Sequence, residues 1–265
     1  RPVSKREVIL RIKNQLLLLE SQRIIERQNE RIQRESRSKD KLYSVIAHDL
    51  RAPIGTLKMI LEAIDHQKEK IPDDNIKHLI KMLQETTDEA FLLLENLLLW
   101  SNSQNGLLQP YGQAFSFTEA AKEVIVLQEN IAEAKGVEIC NHIDQPFTGY
   151  ADVNMMKTVL RNLLSNAIKF SYAGGRIDVD CKEKNGFLEV SVKDRGQGIS
   201  EEHQQGLLDD GLHFISYGTQ KEKGSGLGLQ LCKDFVKMNH GKLWFESKEG
   251  EGSTFYFSMP LSESL

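Results

Sequence analysis

"GGRIDVDCKEKNGFLEVSVKDRGQG" (residues 174–198) alternates apolar and polar residues on both sides of Asn185-Gly186. Alternation with a period of two marks a half-buried strand. Asn-Gly is the pair favoured in a two-residue hairpin turn, where both central residues take positive φ. The stretch therefore predicts a β-hairpin. Its surroundings predict further strands mixed with helices: a short strand near 115–117, a helix over about 118–134 and a strand in "GVEICNHI" (136–143). Asp152 reads as the N-cap of a helix reaching Phe170. After a loose stretch (200–223) come a helix over 226–239 and a last hairpin, "GKLWFESKEGEGSTFYFSMP" (241–260). Elements in this order predict an α+β sandwich, with helices layered on one sheet.

Upstream the texture is different. Residues 3–47 contain neither glycine nor proline, and Ile9, Ile12, Leu16 and Leu19 keep the 3-4 spacing of a coiled-coil seam. The seam slips phase and resumes at Ile25 and Ile32, as in a stutter. Beyond Leu42 the apolar face continues through Leu50, Leu57, Ile60, Leu61 and Ile64 to about Lys70. "KIPDDN" (70–75) then supplies a turn and a helix start. A second helix is expected over about 74–102. Its apolar set (Ile76, Leu79, Ile80, Met82, Leu83, Phe91, Leu94, Leu97, Leu98) is wider than one antiparallel neighbour would cover. Two such hairpins in a dimeric four-helix bundle would bury it; packing on the C-terminal domain is the alternative. "SNSQNGLLQPYGQ" (101–113) has the composition of a linker. The chain is thus read as multi-domain: an all-α coiled coil (1–40) and helical hairpin (41–103), a linker (104–113), and an α+β domain (114–265).

Composition narrows the function classes. The 265 residues are 40% hydrophobic and 27% charged, enough for a sizeable core, and the net charge of -4 argues against a nucleic-acid binder. Three scattered cysteines (Cys140, Cys181, Cys232) form no CxxC pair, so neither a disulfide framework nor a zinc site is signalled, and a reducing cytoplasm fits. No apolar run reaches the roughly 18 residues of a membrane span. Residues 1–41 hold twelve Lys/Arg against six Asp/Glu, an excess of +6. The excess suits either a solvated helix face or a cytoplasmic segment below a membrane anchor upstream of Arg1.

Three clusters in the second domain carry chemistry. "NLLSNAIKF" (162–170) places Asn162 and Asn166 four residues apart, with Lys169 one turn on, so two amides and an ammonium share one helical stripe. Such a stripe suits a phosphate and its hydrated Mg²⁺, although a solvated polar face would read the same. "DRGQGI" (194–199) follows a strand with an acid, Asp194, and then Gly196 and Gly198, which allow close backbone approach. "GSGLGL" (224–229) puts Gly224, Gly226 and Gly228 at a helix start, where N–H groups and the positive dipole end attract phosphate. It is not GxGxxG, since Leu229 sits where the third glycine belongs.

Together and in this order, the clusters resemble the boxes of the sensor histidine kinases. "AHDLRAP" (47–53) is similar to the phospho-acceptor box, "NLLSNAIKF" to the asparagine box, "DRGQGI" and "GSGLGL" to the glycine boxes, and "GEGSTFYFSMP" (250–260) to the closing strand. The resemblance spans about 38–261 and implies a cytoplasmic ATP-dependent protein-histidine kinase. On it, His48 accepts a phosphoryl group from ATP and passes it to an aspartate on the receiver domain of a response regulator. Asp49 accepts the imidazole proton or orients the ring. Asn166 is implied as the Mg²⁺ ligand, with Asn162 and Lys169 near the phosphates. Asp194 is implied to hydrogen-bond the adenine amino group, helped by Thr254 through water, with Gly196 and Gly198 beside it. Gly224, Gly226 and Gly228 are implied as hinges of a phosphate lid that also carries Thr219, Lys221 and Lys223. Homodimerisation and a membrane receptor as the full-length protein complete the implied picture. Other ATPases of the same superfamily, such as heat-shock chaperones, lack the paired helices carrying His48. A dead scaffold would not need the intact boxes.

Two positions stand out near His48. Pro53 removes one backbone hydrogen bond from the helix interior, which makes that stretch deformable. Ala52 stands four residues after His48, where many relatives carry a polar residue that orients water for dephosphorylating the regulator. A methyl group neither donates nor accepts a hydrogen bond. Kinase and transfer activity are therefore predicted to persist while reverse phosphatase activity is weak. Incubating a phosphorylated cognate regulator with the protein and Mg-ADP should show slow loss of label. Rapid loss that depends on residues around His48 would contradict the prediction.

Overall fold

The computed structural model describes residues 5–66, 73–104, 107–208, 218–220 and 227–261. The chain divides into two units, Arg1–Ala47 and His48–Leu265. The first consists of the N-terminal part of helix α1 (Lys5–His66). Its described side chains are exposed, Leu16 to Leu19 and Ile24 and Ile25 among them. A row of exposed leucines on a lone helix is unstable against water without a partner.

The second unit begins with the remainder of α1, in which Pro53 is buried without ending the helix. Helix α2 (Asp73–Gln104) follows and extends two residues further than the linker-like "SNSQ" suggested. Asn96 and Trp100, one turn apart, are buried on it, whereas Ile80, Phe91, Leu94 and Leu98 stay exposed. One side of α2 packs on helix α6, introduced below. The apolar set is thus split between a covered stripe and an open one.

The α+β domain opens with strand β1 (Gln113–Ser116) and helix α3 (Phe117–Lys135). Ser116 caps α3 by accepting from Glu119 N–H at 3.3 Å, and Gly136 closes it with φ of 72°. Strand β2 (Glu138–Asn141) and strand β3 (Thr148–Ala151) come next, then helix α4 (Val153–Phe170). Asp152 caps α4 as expected, its Oδ1 accepting from Asn154 and Met155 N–H at 3.0 and 3.1 Å. The hairpin is β4 (Arg176–Lys184) and β5 (Phe187–Lys193), with Asn185 and Gly186 at φ 53° and 82°. Helices α5 (Glu201–Gln204) and α6 (Leu227–Met238) and strands β6 (Leu243–Lys248) and β7 (Gly252–Pro260) complete the domain.

Five strands form one sheet in the order β2-β4-β5-β7-β6, antiparallel except for the β2–β4 pair. Ile177, Val179, Leu188, Val190, Val192, Phe257 and Met259 face a helical layer that supplies Met156, Leu160, Leu163, Leu164, Leu231 and Phe235. All thirteen are buried, so the helical layer covers one face and leaves the other open. Strand β3 was not expected from the sequence. It is four residues long, pairs among the described residues only with β1 in a separate two-stranded sheet, and carries too few residues to display a period. Gly149 within it lies so close to Met259 that a Cβ would meet the sulfur at 2.6 Å. The α4 and α6 ends are tied by Asn239, whose Oδ1 accepts from Asp152 N–H at 2.7 Å while Nδ2 donates to Phe235 O at 2.8 Å.

Candidate functional site

The site is built around the outer stripe of α4. Asn162, Asn166 and Lys169 are all part-exposed there, above the fully buried Leu163 and Leu164. Asn162 reaches the start of α6. A Cβ on Gly228 would lie 3.0 Å from Asn162 Oδ1, so glycine lets the two helices close on the amide. Asn162 Nδ2 is buried against the Cys232 thiol, a weak acceptor, and has no other hydrogen-bond partner among the described residues. Burial pushes that thiol far up, so it stays protonated and inert. The thiol is a weak acceptor, so the Asn162 amide is held at the start of α6 by a weak contact only.

The last turn of α4 gathers several segments by their hydrogen bonds to its free carbonyls. Lys169 O accepts from the Lys135 ammonium at 2.5 Å and from Thr219 N–H at 3.2 Å. Phe170 O accepts from Gln197 N–H at 3.1 Å, and Ser171 O from Thr219 Oγ1 at 2.6 Å. The Lys169 ammonium stands 4.9 Å from the centre of the Phe170 ring, a cation–π contact that holds the charge at the end of the stripe. Thr219 is thereby fixed to the helix that bears the asparagines.

Asp194 lies just past β5, 4% exposed. Its Oδ1 accepts from Gly196 N–H at 2.9 Å and Ser253 N–H at 3.2 Å, while its own N–H donates to Ser253 O at 2.8 Å. Burial raises its pKa, and the N–H donors offset only part of that shift. The glycines that follow it have a concrete reason. A Cβ at Gly196 would stand 2.0 Å from Phe170 O, and one at Gly198, with φ of +64°, 2.0 Å from Lys248 O. From the other side, a Cβ at Gly252 (φ +106°) would stand 2.2 Å from Asp194 O. Backbone meets backbone on both sides of the acid.

The expectation for Thr254 needs correction. Thr254 is the register partner of Lys193 and of Glu246, and its hydroxyl bonds to Tyr256 on the open face of the sheet. Strand alternation sends its side chain away from Asp194 and brings Ser253 to the acid's face instead. Ser253 could have been found by counting back from the Asp194 pairing. Arg195, 61% exposed, extends over the open face to within 3.9 Å of Asp178 and takes no part in the recess. The backbone of His48 and Asp49 falls within α1, but their side chains lie outside the described residues. So does the Ala52 side chain, and so do Gly224, Gly226, Lys221 and Lys223 entirely. The structure therefore brings Asn162 to Gly228, and Asp194 to Gly196 and Gly198, with Lys169 joined to the latter group through the end of α4.

Known proteins similar to this chain share its fold. Residues 151–263 match the family described as histidine kinase-, DNA gyrase B-, and HSP90-like ATPase. The adaptive-response sensory kinase SasA of Prochlorococcus marinus is 30% identical over 254 residues, covering 95% of this chain and 65% of that protein. SasA of Crocosphaera subtropica is 29% identical over 243 residues, with 89% and 63% covered. The chain thus spans just under two thirds of the length of these relatives. The histidine kinase AdeS of Acinetobacter baumannii shares the fold with a TM-score of 0.64, at 22% identity over 82% of this chain and 98% of that one. Histidine kinase ThkA, solved with the response regulator TrrA, shares it with a TM-score of 0.58, at 24% identity over 84% of this chain and 61% of that one. The asparagine stripe and the caged aspartate thus lie in a segment similar to the histidine kinase-, DNA gyrase B-, and HSP90-like ATPases, and the chain as a whole is similar to sensory histidine kinases.

Proposed function

We propose that this chain autophosphorylates His48 from ATP and passes the phosphoryl group to an aspartate of a response regulator. The observation that carries the reading is the Asp194 recess. One carboxylate oxygen is held by two N–H groups, and the other has no partner among the described residues. A buried acceptor walled by glycine backbone fits the amino group of adenine. At the phosphate end, the Lys169 ammonium offers positive charge, and the Asn162 amide and the N–H groups opening α6 lie on the two helices beside it.

Phosphoryl transfer depends on positioning and on neutralising charge. Asn166, an amide with an oxygen to offer, suits Mg²⁺, which keeps several waters and shares its shell with phosphate. When bound, the metal would screen the β- and γ-phosphates. The His48 imidazole, in its neutral form, would attack the γ-phosphorus as the bond to the β-phosphate oxygen breaks, giving phosphohistidine and ADP. Asp49 would take the ring proton or fix the tautomer.

The exposed leucines of residues 16–19 and the open stripe of α2 support a homodimer through coiled coil and four-helix bundle. ThkA in complex with TrrA supports a receiver domain as the second partner. Domain limits of 1–40, 41–103, 104–113 and 114–265 belong to the same proposal, as does a cytoplasmic site of action with an anchor upstream of Arg1. Among the described residues, no helix is long and apolar enough to cross a membrane.

Incubation with γ-labelled ATP tests the function. Label that is acid-labile, alkali-stable and absent from His48→Gln is expected, with Asn166→Ala slowed by about 100-fold or more. Acid-stable label, or label retained by His48→Gln, would overturn it.

Asp194 also predicts a separation of stability from binding. Its folded pKa is raised, so the stability contributed by the neutral carboxyl is present at acid pH and is lost as pH rises through the folded value. Asp194→Asn should therefore melt no lower than wild type at pH 7, with its relative advantage shrinking towards pH 4. ATP binding should weaken roughly 10- to 100-fold. Scanning calorimetry and nucleotide titration check both; a variant that unfolds at neutral pH or binds ATP normally would contradict the account.

A further inference from the structure

We propose that Ser247, on β6, is a positioning residue that makes the recess selective for a 6-amino purine. The inference rests on the reading that Asp194 meets adenine. Ser247 pairs across the strands with Ser253, so their side chains share the face on which Asp194 lies. Its hydroxyl has three partners: it donates to Gly252 O at 3.1 Å, receives Ile199 N–H at 2.9 Å and lies 2.8 Å from Ser253 Oγ.

A hydroxyl has one proton and two lone pairs. The Gly252 carbonyl can only accept, so it takes the Ser247 proton. One lone pair holds Ile199 N–H, and the other is left for Ser253, which must donate. Ser253 has then spent its single proton. Its own N–H donates to the Asp194 carboxylate, so its hydroxyl belongs to the same recess. Two acceptors side by side match an amino group, which brings two protons, and repel a 6-oxo group, which brings none. The backbone that presents Ser247 and the Ile199 N–H is held from behind, because Gln204 Nε2 donates to both Ile199 O at 2.7 Å and Ser247 O at 3.1 Å. Ser247 need not touch the ligand. It acts by deciding which way the Ser253 hydroxyl points.

The test compares ADP and IDP binding to the full chain by calorimetry with Mg²⁺ present. In Ser247→Ala, Ser253 can turn and donate to a 6-oxo group, so the ratio of ADP to IDP affinity should fall about 3- to 10-fold. Ser247→Thr, which keeps the hydroxyl, should retain the wild-type ratio and confirm that the strand tolerates substitution. In a Ser253→Ala background, Ser247→Ala should no longer change the ratio. Equal weakening of both nucleotides by Ser247→Ala, with the ratio unchanged, would show a merely structural role and overturn the proposal. Asp194→Asn separates the two readings. If it leaves the ratio at the wild-type value, adenine does not meet Asp194 and the underlying reading fails. If it collapses the ratio while Ser247→Ala does not, only the role of Ser247 is lost.

Discussion

The whole site depends on one constraint: the loop after β5 is pressed between two other stretches of backbone with no room for a β-carbon. Gly196 lies against the carbonyl ending α4, Gly198 against the end of β6, and Gly252 against Asp194 itself. Contacts this close let backbone N–H groups hold a buried carboxylate where no side chain could reach. They also join the acid to α4, because Gln197 bonds to Phe170 O one residue from the Gly196 contact. The acid and the asparagine stripe are therefore parts of one rigid assembly. A nucleotide extended between them would meet groups placed before it arrives, the preorganisation on which the proposed phosphoryl transfer would draw.

The second organising feature is the C-terminal end of α4. Helix ends leave carbonyls unpaired, and here they are used to gather α3 through Lys135, the Asp194 loop through Gln197, and Thr219. Asp152 and Asn239 do the same at the opposite end, tying α4 to the finish of α6. One helix, capped by side chains at its start and by three segments at its finish, sets the positions of everything around the recess.

Much of this was legible in the residues. The β4–β5 turn was written in Asn185-Gly186, whose positive φ values no ordinary pair would adopt. Asp152 announced its helix by the capping chemistry it then performs. Other parts left no local trace. Strand β3 was too short to show a period and is defined only by its distant partner β1. Glycines disclosed a need for space, but not that the neighbours were Phe170, Lys248 and Asp194. The exchange of Thr254 for Ser253 is the plainest case. Adjacent strand residues point to opposite faces, so one step of register decides which hydroxyl meets the acid, and register is settled by the pairing of β5 with β7.

The central claim is that an adenine nucleotide lies between Asp194 and the asparagine stripe. Amide resonances of the full chain followed by NMR during ADP titration with Mg²⁺ test it most directly. The account predicts the largest shifts at Gly196 and Ser253, whose N–H groups hold the carboxylate, and in the Asn162 side-chain amide. Those three signals standing still, while residues on the open face of the sheet such as Tyr256 or Asp178 move, would contradict it.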